Sequence, residues 1–276
     1  MPPPDVGLLP ARLRNDFERD GFLHLPQVLP AAVVGRLLAA TDAVVERSAT
    51  GFNSRNFWQL RNCVAADDAF LELIDWPETL PIVVGLLGWN IQLLTSHLLV
   101  RAPSPPDVGD GWMQAEWHRD GGLICRDLDE PLPRLFVKVA FWLTDLREAG
   151  RGNLAVVPGS HRLTGRPPWQ DGARDPDNAL ELLAGPGDVT VFEQRLWHGV
   201  GPNRSSIVRK CVILGYGYRW LRPHDYTTMP TNLLERVSPV RRQLLGGVHN
   251  DLGYILPVDD EVPLRHWFSR AGASRG

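Results

Sequence analysis

The sequence has few cysteines and no long uninterrupted apolar run. Cys63, Cys125 and Cys211 are odd in number and form no CxxC pair. A disulfide framework or a structural zinc site is therefore not expected. We expect a reducing, cytoplasmic location. The most apolar window begins at Leu80 but is soon interrupted by Gly85, which argues against a membrane span.

An excess of positive charge is also missing. The formal net charge is -3 and the sequence pI is about 6.2, so the chain offers no basic field to phosphates. Nucleic acid and anionic membrane are therefore not expected partners. The opening MPPPDVGLLP lacks the basic and apolar regions of a signal peptide. We expect a small-molecule substrate as the partner, and a monomer or a weak homodimer.

The length and composition are those of one large domain. Of the 276 residues, 43% are hydrophobic, which suffices for a full core. Residues 1–90 are expected to form a mostly helical support, residues 91–219 a β-rich core, and residues 220–276 a C-terminal tail. Many short strands behind a helical preface favour a mainly β fold with helices (α+β). Its core would be a double-stranded β-helix, the cupin-like jelly roll, braced by the N-terminal helices.

Periodicity places the individual elements. Apolar residues at helical spacing predict helices at 9–20, after Pro30, at 67–76, at 78–87 and around 239–245. Two long polar segments, 102–111 and 163–178, are expected to be lid or binding loops.

The stretch AEWHRDGG at 115–122 places a histidine and an aspartate two residues apart. In a strand, residues i and i+2 point to one face, so His118 and Asp120 can grip one ion while the residue between them points away. Gly121 and Gly122 then free the chain to turn and leave room for further ligands. By itself the pair also fits a half-buried histidine beside a solvated aspartate.

A second histidine strengthens the interpretation as a metal site. His198 follows the predicted strand DVTVF and a turn. Two imidazoles and one carboxylate on one face of a metal leave three positions open, the arrangement of non-haem Fe(II) oxygenases. Arg209, in the run IVRKCVIL, offers a planar fork to a carboxylate. Taken alone, it fits an ion-paired or surface residue equally well.

Four longer segments carry a family resemblance: FERDGFLHLPQVLP, WHRDGG, FWLTDLREAGRGNLAVVPGSHR and LWHGVGPNRSSIVRKCVILGY. Together they resemble the phytanoyl-CoA dioxygenase family of Fe(II)- and 2-oxoglutarate-dependent oxygenases, over most of the chain. The resemblance implies that His118, Asp120 and His198 bind Fe(II), with 2-oxoglutarate as cosubstrate and O2 as oxidant. It also implies that Arg209 pairs with the distal carboxylate of 2-oxoglutarate. In related halogenases a small residue replaces the carboxylate of Asp120, so halogenation is not expected.

The chain departs from the family pattern at two positions. Arg151 stands where an asparagine usually precedes the glycine before the VVPGSH-like strand. Arg101 stands where the strand before the HxD pair commonly has a lysine ahead of its proline. Neither is a predicted metal ligand. The departures therefore bear on substrate contacts more than on the class of reaction.

Five further residues are weaker candidates for the site. Relatives often place a polar side chain that reaches the cosubstrate where this chain has Gln59 and Arg61. Trp142, Lys138 and Ser205 are candidates for lining the same pocket. Ordinary packing or surface exposure explains each of them equally well.

Two other histidines have distinct expectations. His161, in the PGSH turn, is expected to hold backbone groups that the turn leaves unpaired. His97 precedes a long loop and is a candidate to reach the cavity.

The expected activity is hydroxylation of an unactivated C–H bond, with release of succinate and CO2. Several tryptophans near the predicted ligands and loops favour an apolar or ring-bearing small molecule, a lipid or a secondary metabolite such as an antibiotic: Trp58, Trp112, Trp117, Trp142, Trp169 and Trp197. The same radical chemistry diverted to epimerisation, ring closure or desaturation is an alternative. The sequence also fits a cupin-like metal protein that does not use 2-oxoglutarate, and it fits a non-catalytic binding module.

Overall fold

The computed structural model describes residues 9–53, 56–105, 117–120, 125, 128–247 and 262–267. The strands are β1 Phe22–Leu25, β2 Phe57–Arg61, β3 Ile91–Arg101, β4 Phe136–Trp142, β5 Leu154–Val156, β6 Leu180–Glu181, β7 Val189–Glu193, β8 His198–Val200 and β9 Arg209–Tyr218. The helices are α1 Ala11–Asp20, α2 Ala31–Arg47, α3 Asp68–Leu71, α4 Leu80–Leu87, α5 Thr231–Arg236 and α6 Pro239–Leu244.

The helices follow the apolar periodicity, with one exception. α1 ends where Gly21 takes φ 82° and donates its N–H to the carbonyl of Phe17, the left-handed ending that glycine permits. The single helix predicted at 67–76 is wrong. α3 ends at Leu71 and the chain continues as a 3-10 turn, Glu72–Asp75. The residue before a proline is pushed out of the helical region, and Trp76, which precedes Pro77, has ψ 127°.

Two antiparallel sheets form the core. The larger has the strand order β1-β7-β4-β9-β3-β2, and the smaller has the order β6-β5-β8. The predicted mainly β fold with bracing helices is confirmed. Residues 1–90 supply both edge strands of the larger sheet as well as helices.

The two faces of the larger sheet pack differently because side chains alternate along each strand. Val137 and Phe141 of β4 pack against the helices. Ala140 and Trp142 pack against residues of the smaller sheet, Leu154 among them. We call this second face, between the sheets, the interior face. It carries the side chains of the candidate site.

The predicted loops are partly within the described residues. Residues 163–178 contain no helix or strand, whereas most of 102–111 lies outside the described residues. No described helix combines the length and hydropathy needed to cross a membrane. The single domain over residues 1–276 stays a prediction.

Candidate metal centre

His118, Asp120 and His198 converge at the interior face. One potential ligand atom from each residue lies within 4.8 Å of those of the other two. His118 Nε2 is 3.8 Å from Asp120 Oδ1, and His198 Nε2 is 3.6 Å from Asp120 Oδ2. Ligand atoms about 2.1 Å from an ion and at right angles lie roughly 3 Å apart. Small side-chain adjustments would therefore let the three residues share one ion.

The backbone sets the two histidines side by side. His118 and His198 form an isolated antiparallel bridge. Each donates its N–H to the carbonyl of the other, at 2.9 and 3.0 Å, and the ring centroids are 4.3 Å apart. The distal histidine is therefore brought to the HxD pair by main-chain pairing and not by side-chain contact alone.

The orientation of His198 is fixed by its other ring nitrogen. Nδ1 lies 2.8 Å from the carbonyl of Leu196, so the ring proton is on Nδ1. The lone pair of Nε2 is then free and directed toward the cluster. The ring is buried and meets Phe192 edge-on at 5.1 Å. His118 is more open, with 52% of its side chain exposed.

Asp120 is held by one oxygen and free at the other. Lys138 Nζ donates to Oδ1 at 2.7 Å, whereas Oδ2 is buried without a hydrogen-bond partner. A buried carboxylate oxygen without a donor is costly, and a metal cation would satisfy it. Burial raises the pKa of Asp120, but Lys138 and His198 outweigh this effect and lower the pKa to about 2.

The surroundings of both imidazoles favour their uncharged form. Burial lowers the pKa of His198 to about 4, although the carboxylate of Asp120 opposes the shift. The pKa of His118 is also lowered, by partial desolvation of the ring on the side that lies against the protein, although Asp120 opposes the shift. Two neutral imidazoles and one carboxylate are the forms that bind a metal. This donor set, with open positions beside it, fits Fe(II).

Arg209 lies on the interior face at the start of β9. Its side chain is 1% exposed and its Nε has no hydrogen-bond partner. Within the described residues no carboxylate pairs with it. Its guanidinium lies over the ring of Trp142, 5.3 Å from the centroid, and Trp142 Nε1 donates to Thr190 Oγ1 at 2.9 Å. Arg101 is its cross-strand neighbour. A buried unpaired cation requires an anion, as a dicarboxylate cosubstrate would provide.

The weaker candidates are distributed around the site. By alternation Gln59 and Arg61 point toward the interior face, and Arg61 lines a pocket that reaches the metal cluster. Ser205 Oγ donates to Asn203 Oδ1 at 2.7 Å and accepts from the N–H of Ile207 at 3.1 Å. The hydroxyl of Ser205 therefore holds the turn before β9. Contacts of these residues with a cosubstrate stay predictions.

The ion pair of Lys138 with Asp120 is not foreseen by sequence reasoning, which assigns Lys138 only to the pocket. A signal is present, because a lysine in the middle of the apolar strand FVKVAFW must be buried or must face a cavity. Its partner depends on the folded position of Asp120.

The PGSH turn supports the distal histidine indirectly. Ser160 Oγ accepts the N–H of Trp197, the residue before that histidine, at 2.9 Å. The N–H of Val157 donates to the carbonyl of Trp197 at 2.9 Å. His161 lies with Nε2 3.2 Å from the carbonyl of Glu18 in α1, so it ties the turn to the helical layer.

Ser160→Ala is expected to loosen the metal centre without removing a ligand. Loss of one buried hydrogen bond should lower the free energy of unfolding by about 1 kcal/mol. Metal affinity should fall roughly tenfold, as is typical when a group that orients a ligand is lost. Denaturant unfolding and metal titration check the two effects. Ser48→Ala, which removes a half-buried hydroxyl at the end of α2 that bonds Thr50 and Trp58, should change stability alone. Equal metal affinity in both variants would contradict the supporting role of Ser160.

A jelly-roll core with a cluster of two histidines and one carboxylate is typical of the class of the non-haem iron oxygenases. The family model described as Phytanoyl-CoA dioxygenase (PhyH) matches residues 17–211. The chain belongs to this family.

Curated relatives are similar over different lengths. A probable alpha-ketoglutarate-dependent hypophosphite dioxygenase of Stutzerimonas stutzeri is 30% identical over 166 residues, covering 54% of this chain and 53% of the relative. The dioxygenase trt7 of Aspergillus terreus is 23% identical over 86% of this chain and 84% of its own length. The chain thus spans about half of the first relative and most of the second.

Solved structures share the fold. The alpha-ketoglutarate-dependent carbocyclase SnoK from nogalamycin biosynthesis superposes with a TM-score of 0.61 at 21% identity, covering 86% of this chain and 94% of SnoK. The epimerase SnoN, in complex with Fe3+, alpha-ketoglutarate and nogalamycin RO, gives a TM-score of 0.60 at 23% identity, covering 77% of this chain and 85% of SnoN.

Proposed function

We propose that the protein is an Fe(II)- and 2-oxoglutarate-dependent oxygenase that hydroxylates a C–H bond of a small organic molecule and releases succinate and CO2. One observation carries the proposal. The interior face holds both the His–Asp–His cluster and a buried arginine that no described carboxylate pairs with. The cluster is suited to a metal and the arginine to an anionic cosubstrate. Family membership supports the same assignment.

The described side chains have separate roles in this proposal. His118, Asp120 and His198 would hold the iron, which supplies the activation of O2 and of the C–H bond. Lys138 holds Oδ1 of Asp120, so that Oδ2 stays directed toward His198. Arg209 would bind the distal carboxylate of 2-oxoglutarate.

The wall between these groups is mainly apolar. Ala140, Cys211 and Ile213 lie on the interior face between Lys138 and Arg209. These side chains give water few hydrogen-bonding partners, which would favour a reaction confined to the bound reactants.

The direct test is the conversion of 2-oxoglutarate. Purified protein loaded anaerobically with Fe(II) and then given 2-oxoglutarate and O2 is expected to form succinate and CO2 in equal amounts, slowly without substrate and faster with one. Protein treated with a chelator is the control. If iron binds stoichiometrically but 2-oxoglutarate is not consumed, a metal protein that does not use this cosubstrate would replace the proposal.

Epimerisation and ring closure are the second candidate outcome. The similar structures SnoN and SnoK are named an epimerase and a carbocyclase, and the fold does not distinguish these reactions from hydroxylation. Product mass separates them. Hydroxylation adds one oxygen, epimerisation leaves the mass unchanged, and ring closure or desaturation removes two hydrogens.

Packing accounts for two of the tryptophans that the sequence argument names. Trp58 packs in the core beneath the helices and donates its Nε1 to the carbonyl of Thr50. Trp142 is buried beside Arg209. The side chains that line the space beside Asp120 are therefore a better guide to the substrate.

A further inference from the structure

A small polar pocket borders the metal cluster. A cavity of about 170 Å³ opens beside Asp120. Its polar lining consists of Arg61, Thr95, His97, Lys138, His224 and Asp225. In the register of β9, Thr95 and Lys138 pair with Gly215, six residues beyond Arg209. The pocket thus lies toward the opposite end of the interior face from the arginine assigned to the cosubstrate.

A glycine makes room for Thr95 in the wall of this pocket. Gly215 lies between Thr95 and Lys138 in the sheet. A Cβ at this position would come within 2.4 Å of Thr95 Oγ1, closer than any van der Waals contact allows. Even alanine would therefore displace Thr95, because the Thr95 hydroxyl occupies the place that a side chain at position 215 would take.

The hydroxyl of Thr95 has no hydrogen-bond partner in this position. Thr95 is 7% exposed, and its Oγ1 is buried with no hydrogen bond. Buried hydroxyls are nearly always paired. A ligand atom in the pocket that Thr95 lines would supply the missing partner.

The acids of the pocket are already occupied. Asp225 Oδ1 lies 3.0 Å from His97 Nε2, and Oδ2 accepts the N–H of Ser96 at 2.6 Å. Asp120 is held by Lys138 and faces the proposed iron. No carboxylate of the described lining is therefore left to bind a cationic substrate.

Arg61 supplies the opposite charge. It is exposed at the rim, opposite His97 in the β2–β3 register. Among the described residues, no hydrogen bond or ion pair holds its guanidinium. A planar fork of donors next to an unpaired hydroxyl is suited to an oxyanion.

The remaining wall is aromatic. Phe136 and His224 both line the pocket, and their rings meet edge-on with centroids 6.0 Å apart. This wall can cover the carbon skeleton of a ligand whose polar group reaches the rim.

We infer that the substrate is an organic acid whose carboxylate, phosphonate or sulfonate is bound by Arg61 and Thr95. The inference rests on the proposed function, because it takes Asp120 as an iron ligand. Anchoring the anion at the rim leaves the carbon skeleton between the aromatic wall and the metal cluster. The position of the anion would then select which carbon is oxidised.

Matched ring compounds test the charge requirement. Benzoate, phenylphosphonate, benzenesulfonate and neutral benzamide are titrated into anaerobic protein with Fe(II) and saturating 2-oxoglutarate. Binding is followed by the visible charge-transfer absorption and by calorimetry. At least one acid is expected to bind about tenfold or more tightly than benzamide, the factor expected for a hydrogen bond to a charged group. The strongest acid identifies the preferred anion.

Three variants assign the effect to residues. Arg61→Gln should remove the preference for the acid, and Thr95→Val should weaken acid binding by about two- to tenfold. Arg12→Gln, which removes an exposed charge on α1, should bind as the unchanged protein does. The inference is overturned if benzamide equals the best acid, if no acid binds, or if the preference survives Arg61→Gln. It is also overturned if the acids only bleach the absorption, because they then displace 2-oxoglutarate.

The two proposals can fail separately. The absorption before any probe is added reports the complex of protein, Fe(II) and 2-oxoglutarate, so its absence counts against the proposed function. Calorimetry does not need the absorption and measures the same acid and amide pair with the same variants. An acid preference that depends on Arg61 would then still support the pocket assignment.

Discussion

Replacing His198 with alanine is expected to lower Fe(II) affinity by more than about a hundredfold and to reduce succinate formation to background. Loss of a group that merely orients a ligand costs about 10- to 100-fold in metal affinity, and loss of a ligand costs more. His198 is buried, with Nε2 directed at Asp120 Oδ2. No other described histidine belongs to the cluster apart from His118. Anaerobic equilibrium dialysis with Fe(II) measures the effect.

Two further variants separate ligation from folding. His198→Gln keeps most of the side-chain volume and should lose as much iron affinity as His198→Ala. An equal loss in both variants shows that a cavity left by the alanine is not the cause. His24→Ala removes a half-buried histidine of β1 that contacts Thr190 Oγ1, and it should keep full iron affinity. Stoichiometric iron binding by folded His198→Ala protein would refute the proposed ligand set.

Replacing Arg209 with methionine is expected to raise the 2-oxoglutarate concentration for half-saturation by about 30-fold or more. Truncating one partner of a buried charge pair costs about 2–5 kcal/mol. The apoprotein should be as stable as before or more stable, because the cation has no carboxylate partner among the described residues and methionine retains much of the packing on Trp142. A cosubstrate contact and a structural ion pair therefore predict opposite changes in stability.

Thermal unfolding with and without 2-oxoglutarate distinguishes the two roles of Arg209, a cosubstrate contact and a structural ion pair. The stabilisation that saturating 2-oxoglutarate gives the unchanged protein should disappear in Arg209→Met. Arg204→Gln removes an exposed charge from the loop before β9 and should retain that stabilisation. A marked loss of apoprotein stability with unchanged 2-oxoglutarate binding would assign Arg209 to the fold alone.

Local patterns predict much of the fold, because the spacing of apolar residues along a short stretch differs between helices and strands. α1, α2 and α4 follow the apolar spacing closely. The long run from Ile91 is one strand, β3. The order of strands is not predictable in this way, because it joins distant residues, such as Ala140 with Thr190.

The same limit applies to the site. The HxD spacing and the family resemblance predict that His118, Asp120 and His198 share one ion, and the structure places the three side chains in one cluster. The pairing of Lys138 with Asp120 and the hydrogen bond from Trp197 to Ser160 depend on which strands are neighbours. The pattern of residues in a sequence identifies the reactive groups. It does not identify the contacts that hold those groups in place.

His118 and His198 form a reciprocal main-chain bridge. Because of this bridge, the amide protons of the two residues can also report whether a metal ion is bound. An ion bound by both imidazoles would lock the bridge that buries their own amide protons, so deuterium uptake at these two amides should slow on loading with iron. Hydrogen–deuterium exchange can then measure iron binding in the absence of O2, cosubstrate and turnover.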